Sequence, residues 1–471
     1  MAHGDGTDGA AGRWAATTSR TGRRRPKVVV VGGGFAGYHA TRSLEKALGD
    51  SVEILLISPT NYFLYLPLLP EVAAGILEPR RISVSLADTL PRGVGHAAGE
   101  VDDLDLDERR VGWLDPEGTH HETTYDRLIL AVGSVHKLLP IPGVAEYAHG
   151  FRGVPEALYM RDHLIRQIDL AAECDDPDER RARLTFVVVG AGYTGTEVTA
   201  QGQLFTRELA RARGLDESEV RWSLVSKGTV LDGLDEHLAA TADRVLRERG
   251  VDVHTGETVA EATADGVRLS SDEYIPTRTL LWCVGVRPDP LIDDIGVEIA
   301  AGRAVVDDTL AVPGHPDVFA CGDAAAVPDP RNPGQYTAMT AQHAVRQGKL
   351  AAHNVAASLG RGRRRRYRHR DLGFVVDLGG TDAAANPLHV RLSGLPAKAI
   401  TRGYHLLSMP GNRMRTAVDW AVEAVLPRQK TQLGLVRSRS VPLDTSSPEV
   451  PHHPLLAFPP DRLRDDRQAA D

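Results

Sequence analysis

At 471 residues the chain is too long to fold around one core, and two or three domains are expected. A hydrophobic content of 42% and a charged content of 25% are ordinary for a globular protein, and a net charge of −8 argues against general nucleic-acid binding. The three cysteines, Cys174, Cys283 and Cys321, are far apart and form neither a CxxC pair nor a metal-ligand cluster. A reducing, cytoplasmic setting with no metal site is therefore the default.

Residues 1–26, rich in Gly, Ala, Thr and Arg, read as a disordered arm. Arg23, Arg24 and Arg25 before an apolar run have the outline of a twin-arginine export signal, but no small-residue cleavage site follows. The apolar run at 27–31 instead leads into Gly32-x-Gly34-x-x-Gly37 and a helix-like stretch. In such a turn the first glycine allows the tight exit from the strand and the second lets the backbone approach a pyrophosphate. The third lets helix and strand pack closely. The phosphates then meet unpaired N–H groups at the positive end of the helix.

Residues 52–58 predict a second strand, ending where an acid that binds ribose is expected; that position holds Ser58. Residues 61–70 are apolar but carry Pro67 and Pro70, so a loop lying against something apolar is expected there rather than a helix. Residues 128–134 read as a buried strand ending at Gly133, and Pro140 to Gly143 as a crossing between domains.

The pattern then repeats. Residues 184–189 lead into Gly190-x-Gly192-x-x-Gly195, with Glu197 two residues on. A strand at 220–225 ends at Ser226-Lys227, and 280–285 closes the module at Gly285. Residues 318–325 read as a strand ending in Gly322-Asp323, and 338–348 as a helix carrying Gln342 and Gln347. A basic run from Arg361 to Arg370, a Gly-containing strand region and a last helix near 414–426 follow. The final residues, rich in Pro, Asp and Ser, read as a tail. No segment of 18 or more apolar residues occurs.

One glycine fingerprint is weak evidence. Two in strand-to-helix context imply two dinucleotides, and two dinucleotides in one chain imply electrons passing between them. The expected fold is α/β, with two Rossmann-like dinucleotide-binding domains, the second inserted in the first, and a C-terminal α/β region for membrane or dimer contact. The expected boundaries are an arm at 1–26, a first domain at 27–150 resuming at 286–350, a second at 151–285, a C-terminal region at 351–440 and a tail at 441–471.

Over residues 27 to about 425 the chain resembles the two-dinucleotide flavoprotein reductases, and within them the type II NADH:quinone dehydrogenases. The resemblance rests on both fingerprints, on Asn61-Tyr62-Phe63 to Pro70, on Ala131-Val132-Gly133, on Glu197, and on Phe319 to Asp323 and Ala341 to Gly348. It implies FAD at Gly32, Gly34, Gly37, Ser58 and Gly133, with Asp323 on the ribityl chain beside Gly322. NADH, with NADPH as a rival, would lie at Gly190, Gly192, Gly195, Ser226, Lys227 and Gly285. Glu197 would sit near the meeting of nicotinamide and flavin, and Gln342 and Gln347 where a menaquinone- or ubiquinone-like quinone enters.

The chemistry implied is ping-pong: hydride from NAD(P)H to flavin, then two electrons and two protons to quinone, without proton pumping. Disulfide reductases of this superfamily place two cysteines after the first fingerprint, and residues 27–100 contain none. NADH-specific enzymes carry an acid where Ser226 stands, so Ser226 removes a repulsion and Lys227 adds an attraction for a 2′-phosphate. Apolar positions from Ile400 to Val425, among them Trp420, with interspersed arginines, fit a peripheral contact on the cytoplasmic face of a membrane, as in a respiratory chain, or a homodimer face. A soluble reductase serving a protein acceptor and a slow-turnover redox sensor are the competing readings.

Overall fold

The computed structural model describes residues 24–369 and 372–445; most of the expected arm, most of the tail and Arg370 fall outside the described residues. The chain forms two compact units. Of the described residues, the first comprises 24–61, Leu90–Gly133 and Pro288–His369, and the second Tyr62–Thr89, Ser134–Arg287 and 372–445.

In the first unit six strands form one sheet in the order Ala311–Val312, His315–Ala320, Arg127–Leu130, Lys27–Val31, Glu53–Ser58, Val94–Ala98. All neighbours after the first pair run parallel, with Val29 opposite both Leu55 and Leu128. Val28, Val29 and Val30 are fully buried, which is why this strand reads as an unbroken apolar run: a parallel sheet covered on both faces has no polar alternation to show. The fingerprint helix Phe35–Leu48 packs along the helix Ala341–Ser358.

The second unit repeats the plan. Its four-stranded parallel sheet runs Val251–Thr255, Arg221–Ser226, Thr185–Val189, Thr279–Trp282. The long fingerprint helix Tyr193–Ala212 follows the strand Thr185–Val189. An antiparallel sheet of Val259–Ala262, Gly266–Leu269 and Tyr274–Pro276 joins the same core, in which Val187, Val225, Leu269 and Trp282 are packed together. A second antiparallel sheet, Val375–Asp377, Ala383–Ala385 and Leu392–Ser393, is covered by the helix Gly394–Ser408.

Three expectations are corrected. Residues 61–70 are not a loop throughout: a strand Tyr62–Leu64 is followed by a 3-10 turn Leu66–Leu68 and a helix Leu69–Ala73. Pro67 and Pro70 each lie at the start of their helical turn, where the missing N–H has no partner to lose, so they begin these turns instead of breaking them. In this part of the chain the passage between units falls at Gly133–Ser134, whereas Pro140 to Gly143 lie inside the second unit; the other passages fall at Asn61–Tyr62, Thr89–Leu90, Arg287–Pro288 and after His369. Gly143 there has φ +76°, and a Cβ on it would lie 1.8 Å from the Ala262 carbonyl oxygen. Finally, Trp420 is buried rather than presented outward.

Candidate functional site

The two fingerprints build the same cradle. Gly32 has φ +100° and Gly190 φ +103°, and a Cβ on either would lie 2.2 Å from a neighbouring carbonyl oxygen, of Ala131 or Cys283. Gly32 N–H donates to Ile57 and Gly190 N–H to Val225, each at 2.8 Å, fixing the turn to the adjacent strand. A Cβ on Gly37 or Gly195 would lie 1.8 Å from the carbonyl oxygen of Gly32 or Gly190, so helix and strand approach as only glycine allows.

Gly34 and Gly192 are the N-caps, neither with a side-chain cap, and nothing lies within 4 Å of where their Cβ atoms would be. Each helix therefore begins with N–H groups that its N-cap glycine has no side chain to cap, beside open space where that side chain would be. That is the donor set a pyrophosphate requires, and both sites fit a dinucleotide.

Around the first cradle, Ser58 is buried at the end of its strand, and Gly133, at φ +82°, accepts a hydrogen bond from Asp289 N–H. Gly322 and Asp323 form a 3-10 turn after the strand His315–Ala320. Gln347, 1% exposed, ties this turn down: its Oε1 accepts from Gly322 N–H at 2.8 Å and its Nε2 donates to Thr337 Oγ1 at 2.9 Å. Gln342 is half-buried on the same helix, its carbonyl oxygen accepting from Arg346 at 2.8 Å. Around the second cradle, Ser226 is half-buried at its strand end, Lys227 is exposed, and Gly285 has φ +104°.

Glu197, on the second fingerprint helix, belongs to a buried polar cluster that the sequence reading missed. Its Oε1 accepts from the backbone N–H of Asp377 at 2.9 Å. Asp377 accepts from Lys398 Nζ at 2.6 and 2.7 Å, from Gln201 Nε2 at 3.0 Å and from Gly379 N–H at 2.8 Å. Nearby, Glu71 accepts from the Trp420 indole N–H at 2.5 Å, and Tyr65 pairs with His405 at 3.1 Å. A signal was present for part of it. In the helix Gly394–Ser408 the buried positions are Ala397, Lys398, Thr401 and His405, a polar-bearing stripe turned inward.

Burial dominates the electrostatics of this cluster. It holds the Glu197 carboxyl well above the usual carboxylate range, with the charges of Asp377 and Glu71 adding and the Asp377 N–H and Lys398 opposing. It pushes Glu71 up to about 7, aided by Asp377 and opposed by Lys398, Trp420 and Arg402. It pushes His405 down to about 4.

Between pH 4.5, where Glu71 ionises in an unfolded chain, and about 7, the folded protein keeps a proton that the unfolded one has lost. Stability contributed by that proton is full below 4.5 and declines as the pH rises to 7. Glu71→Gln, which keeps the acceptor for Trp420, is expected to gain stability over wild type by on the order of 3 kcal/mol at pH 8, with no gain at pH 4. Denaturant unfolding of both proteins at the two pH values measures this.

The cysteines do not form a redox pair. All three are free, Cys283 and Cys321 belong to different compact units, and burial pushes both thiols up to about 12. A thiol so rarely ionised is a poor nucleophile. Among the described residues no group of His, Cys, Asp and Glu is arranged to hold a metal ion.

The profile of the pyridine nucleotide-disulphide oxidoreductase family matches residues 26–348. The type II NADH:quinone oxidoreductase Ndh of Mycobacterium tuberculosis is 31% identical to this chain, over 86% of it and 89% of the relative. A second such enzyme of that organism, NdhA, is 32% identical over 84% and 86%. In fold, the chain is similar to NDH2 from Plasmodium falciparum in complex with NADH, with a TM-score of 0.80, 18% identity and coverage of 87% of this chain and all of the other.

Proposed function

The chain belongs to the pyridine nucleotide-disulphide oxidoreductase family and, within it, to the type II NADH:quinone oxidoreductases, and from that premise we propose how its residues divide the work. It is an FAD-dependent NADH:quinone oxidoreductase that does not pump protons. The observation that carries this reading is the duplicated dinucleotide cradle in a chain without a redox thiol pair. FAD, when bound, would supply the redox chemistry, a hydride acceptor for the nicotinamide and a two-electron donor for quinone.

Gly32, Gly34 and Gly37 hold the FAD pyrophosphate against the uncapped helix start, and Ser58 and Gly133 flank it. Asp323 binds the ribityl chain, while Gln347 acts as a positioning residue, because both ends of its amide are engaged in holding the Gly322–Asp323 turn. Gly190, Gly192 and Gly195 hold the NADH pyrophosphate, with Gly285 alongside. Glu197, whose carboxyl is held by burial well above the usual carboxylate range, serves near the meeting of nicotinamide and flavin. Gln342 contacts the quinone, which is menaquinone- or ubiquinone-like.

Steady-state NADH oxidation by the FAD-loaded protein, with and without a short-chain quinone, tests this. Strong quinone-dependent turnover is expected, and turnover at the free-flavin background would sink it. NADPH is expected as a second substrate, since Ser226 leaves a 2′-phosphate unopposed and Lys227 attracts it. Ser226→Asp is then expected to lower the NADPH-to-NADH ratio of kcat/KM by tenfold or more, measured with both nucleotides.

Peripheral binding to the inner face of the cell membrane completes the reading. Leu407, Met414, Val418, Val422, Val425 and Leu426 are exposed on and after the helices Gly394–Ser408 and Arg413–Glu423. Trp420 is absent from this face because it is turned onto Glu71, and Asp419 is drawn aside by Arg81 at 2.8 Å. Among the described residues no helix is long and apolar enough to cross a membrane. Leu407→Ser with Met414→Ser is expected to reduce co-sedimentation with vesicles several-fold while leaving soluble-quinone turnover intact.

A further inference from the structure

On the second unit, away from its nucleotide cradle, lies a pocket of about 740 Å³ whose walls carry four cationic side chains against two carboxylates. One wall is a stripe of the fingerprint helix: the lining positions 204, 207, 208, 211 and 212 recur every three or four residues and so share a face. Arg207 lies 14 residues beyond Tyr193, about 21 Å along the helix at 1.5 Å per residue, so the pocket is separate from the pyrophosphate site at the helix start. Arg428 and Lys430 form the facing wall, on the chain that leaves the helix Arg413–Glu423.

The charges in this pocket do not balance. Arg207, Arg211, Arg428 and Lys430 line it with only Glu208 and Glu217 as counter-charges. Glu208 is shared between Lys430 at 3.2 Å and Arg428 at 4.0 Å, and Glu217 is engaged by Arg211. Behind the wall, Glu423 approaches Arg428 at 3.3 Å and Arg402 at 3.8 Å, one carboxylate for one further cation, so an excess of two positive charges remains.

The hydrogen-bond inventory agrees. The Arg428 side chain is 8% exposed, yet its Nη1 has no hydrogen-bond partner among the described residues, and neither has the buried Nε of Arg207. A buried guanidinium donor without an acceptor costs more than a neutral one, and each of these two belongs to a side chain that lines the pocket.

We propose that this pocket binds a phosphate-type anion, held between Arg207 and Arg211 on the helix and Arg428 and Lys430 on the C-terminal chain. A phosphate dianion balances the two excess charges and offers the acceptors that planar guanidinium groups take in pairs. The source of the phosphate is either free in solution or the headgroup of an anionic lipid. The latter is supported by Val425 and Leu426, 81% and 58% exposed and separated from Arg428 only by Pro427. Such a ligand would join the C-terminal chain to the nucleotide-binding helix.

The test uses the full-length FAD-loaded protein, at constant ionic strength set with chloride. Wild type is compared with Arg211→Gln/Lys430→Gln, which removes two lining cations while leaving Arg428 in place. Arg361→Gln/Arg363→Gln removes equal charge from the basic run elsewhere. Inorganic phosphate is expected to raise the Tm of wild type and of the basic-run variant. The pocket variant should bind it at least tenfold more weakly by titration calorimetry. If phosphate itself has no effect, vesicles of phosphatidylglycerol against phosphatidylcholine identify the headgroup as the source, provided binding falls in the pocket variant and not in the basic-run variant. Equal behaviour of the two variants in both arms, or no response to phosphate or phosphatidylglycerol, would overturn the proposal.

Discussion

Lys398→Met is expected to destabilise the protein by about 3–5 kcal/mol, the range for removing one partner of a buried ion pair. Lys398 and Asp377 have side chains 8% and 10% exposed, and the ammonium contacts both carboxylate oxygens. Methionine fills much of the same volume, so the cost arises from the loss of the counter-charge to Asp377, which lies beside carboxyls at Glu197 and Glu71. The remaining donors, from Gln201 and Gly379, soften the loss but carry no full charge. The double variant Lys398→Met/Asp377→Asn is expected to recover most of it, because no buried charge is then unpaired. Urea unfolding at pH 7 measures all three proteins, and a loss below about 1 kcal/mol for the single variant would show that the pair is solvated like a surface one.

Gly195→Ala is expected to leave a yellow, FAD-loaded protein whose reduction by NADH is slowed at least a hundredfold. The added Cβ would lie 1.8 Å from the Gly190 carbonyl oxygen, a backbone atom that cannot swing aside, so the helix start must move by an ångström or more. A displacement of that size at a positioning element costs on the order of a hundredfold in rate, and overpacking of this kind about 1–3 kcal/mol in stability. The identical clash at Gly37 is in the other unit, so Gly37→Ala is expected to lose FAD instead. Stopped-flow bleaching of the flavin absorbance separates the two variants. A Gly195→Ala protein that bleaches at the wild-type rate would mean that the second fingerprint does not bind the reductant.

The parts of this protein legible in its sequence are those built from neighbours in the chain. A buried parallel strand running into a glycine turn and a helix start is contiguous over about a dozen residues, so both cradles, from Lys27 to Gly37 and from Thr185 to Gly195, could be read directly. Gln347 was singled out as a site residue, but only the fold shows why it is buried. Its partners Gly322 and Thr337 lie 25 and 10 residues away. The two prolines at 67 and 70 misled because proline's effect depends on where a helix begins, and the turn that begins there is set by packing.

By itself, then, the sequence determined two dinucleotide cradles, their order, the parallel sheets that carry them and the lack of a thiol pair, because each depends on local geometry or on composition. Only the tertiary structure decided that Glu197, Asp377, Lys398, Glu71 and Trp420 share one buried cluster, since these positions span 349 residues between Glu71 and Trp420. It also decided that Trp420 turns inward while Met414 and Val418 turn out. A charge buried so far from its partners in sequence leaves no periodic mark. Its position is chosen by which segments fold together, and by the cost of leaving it unpaired once they have.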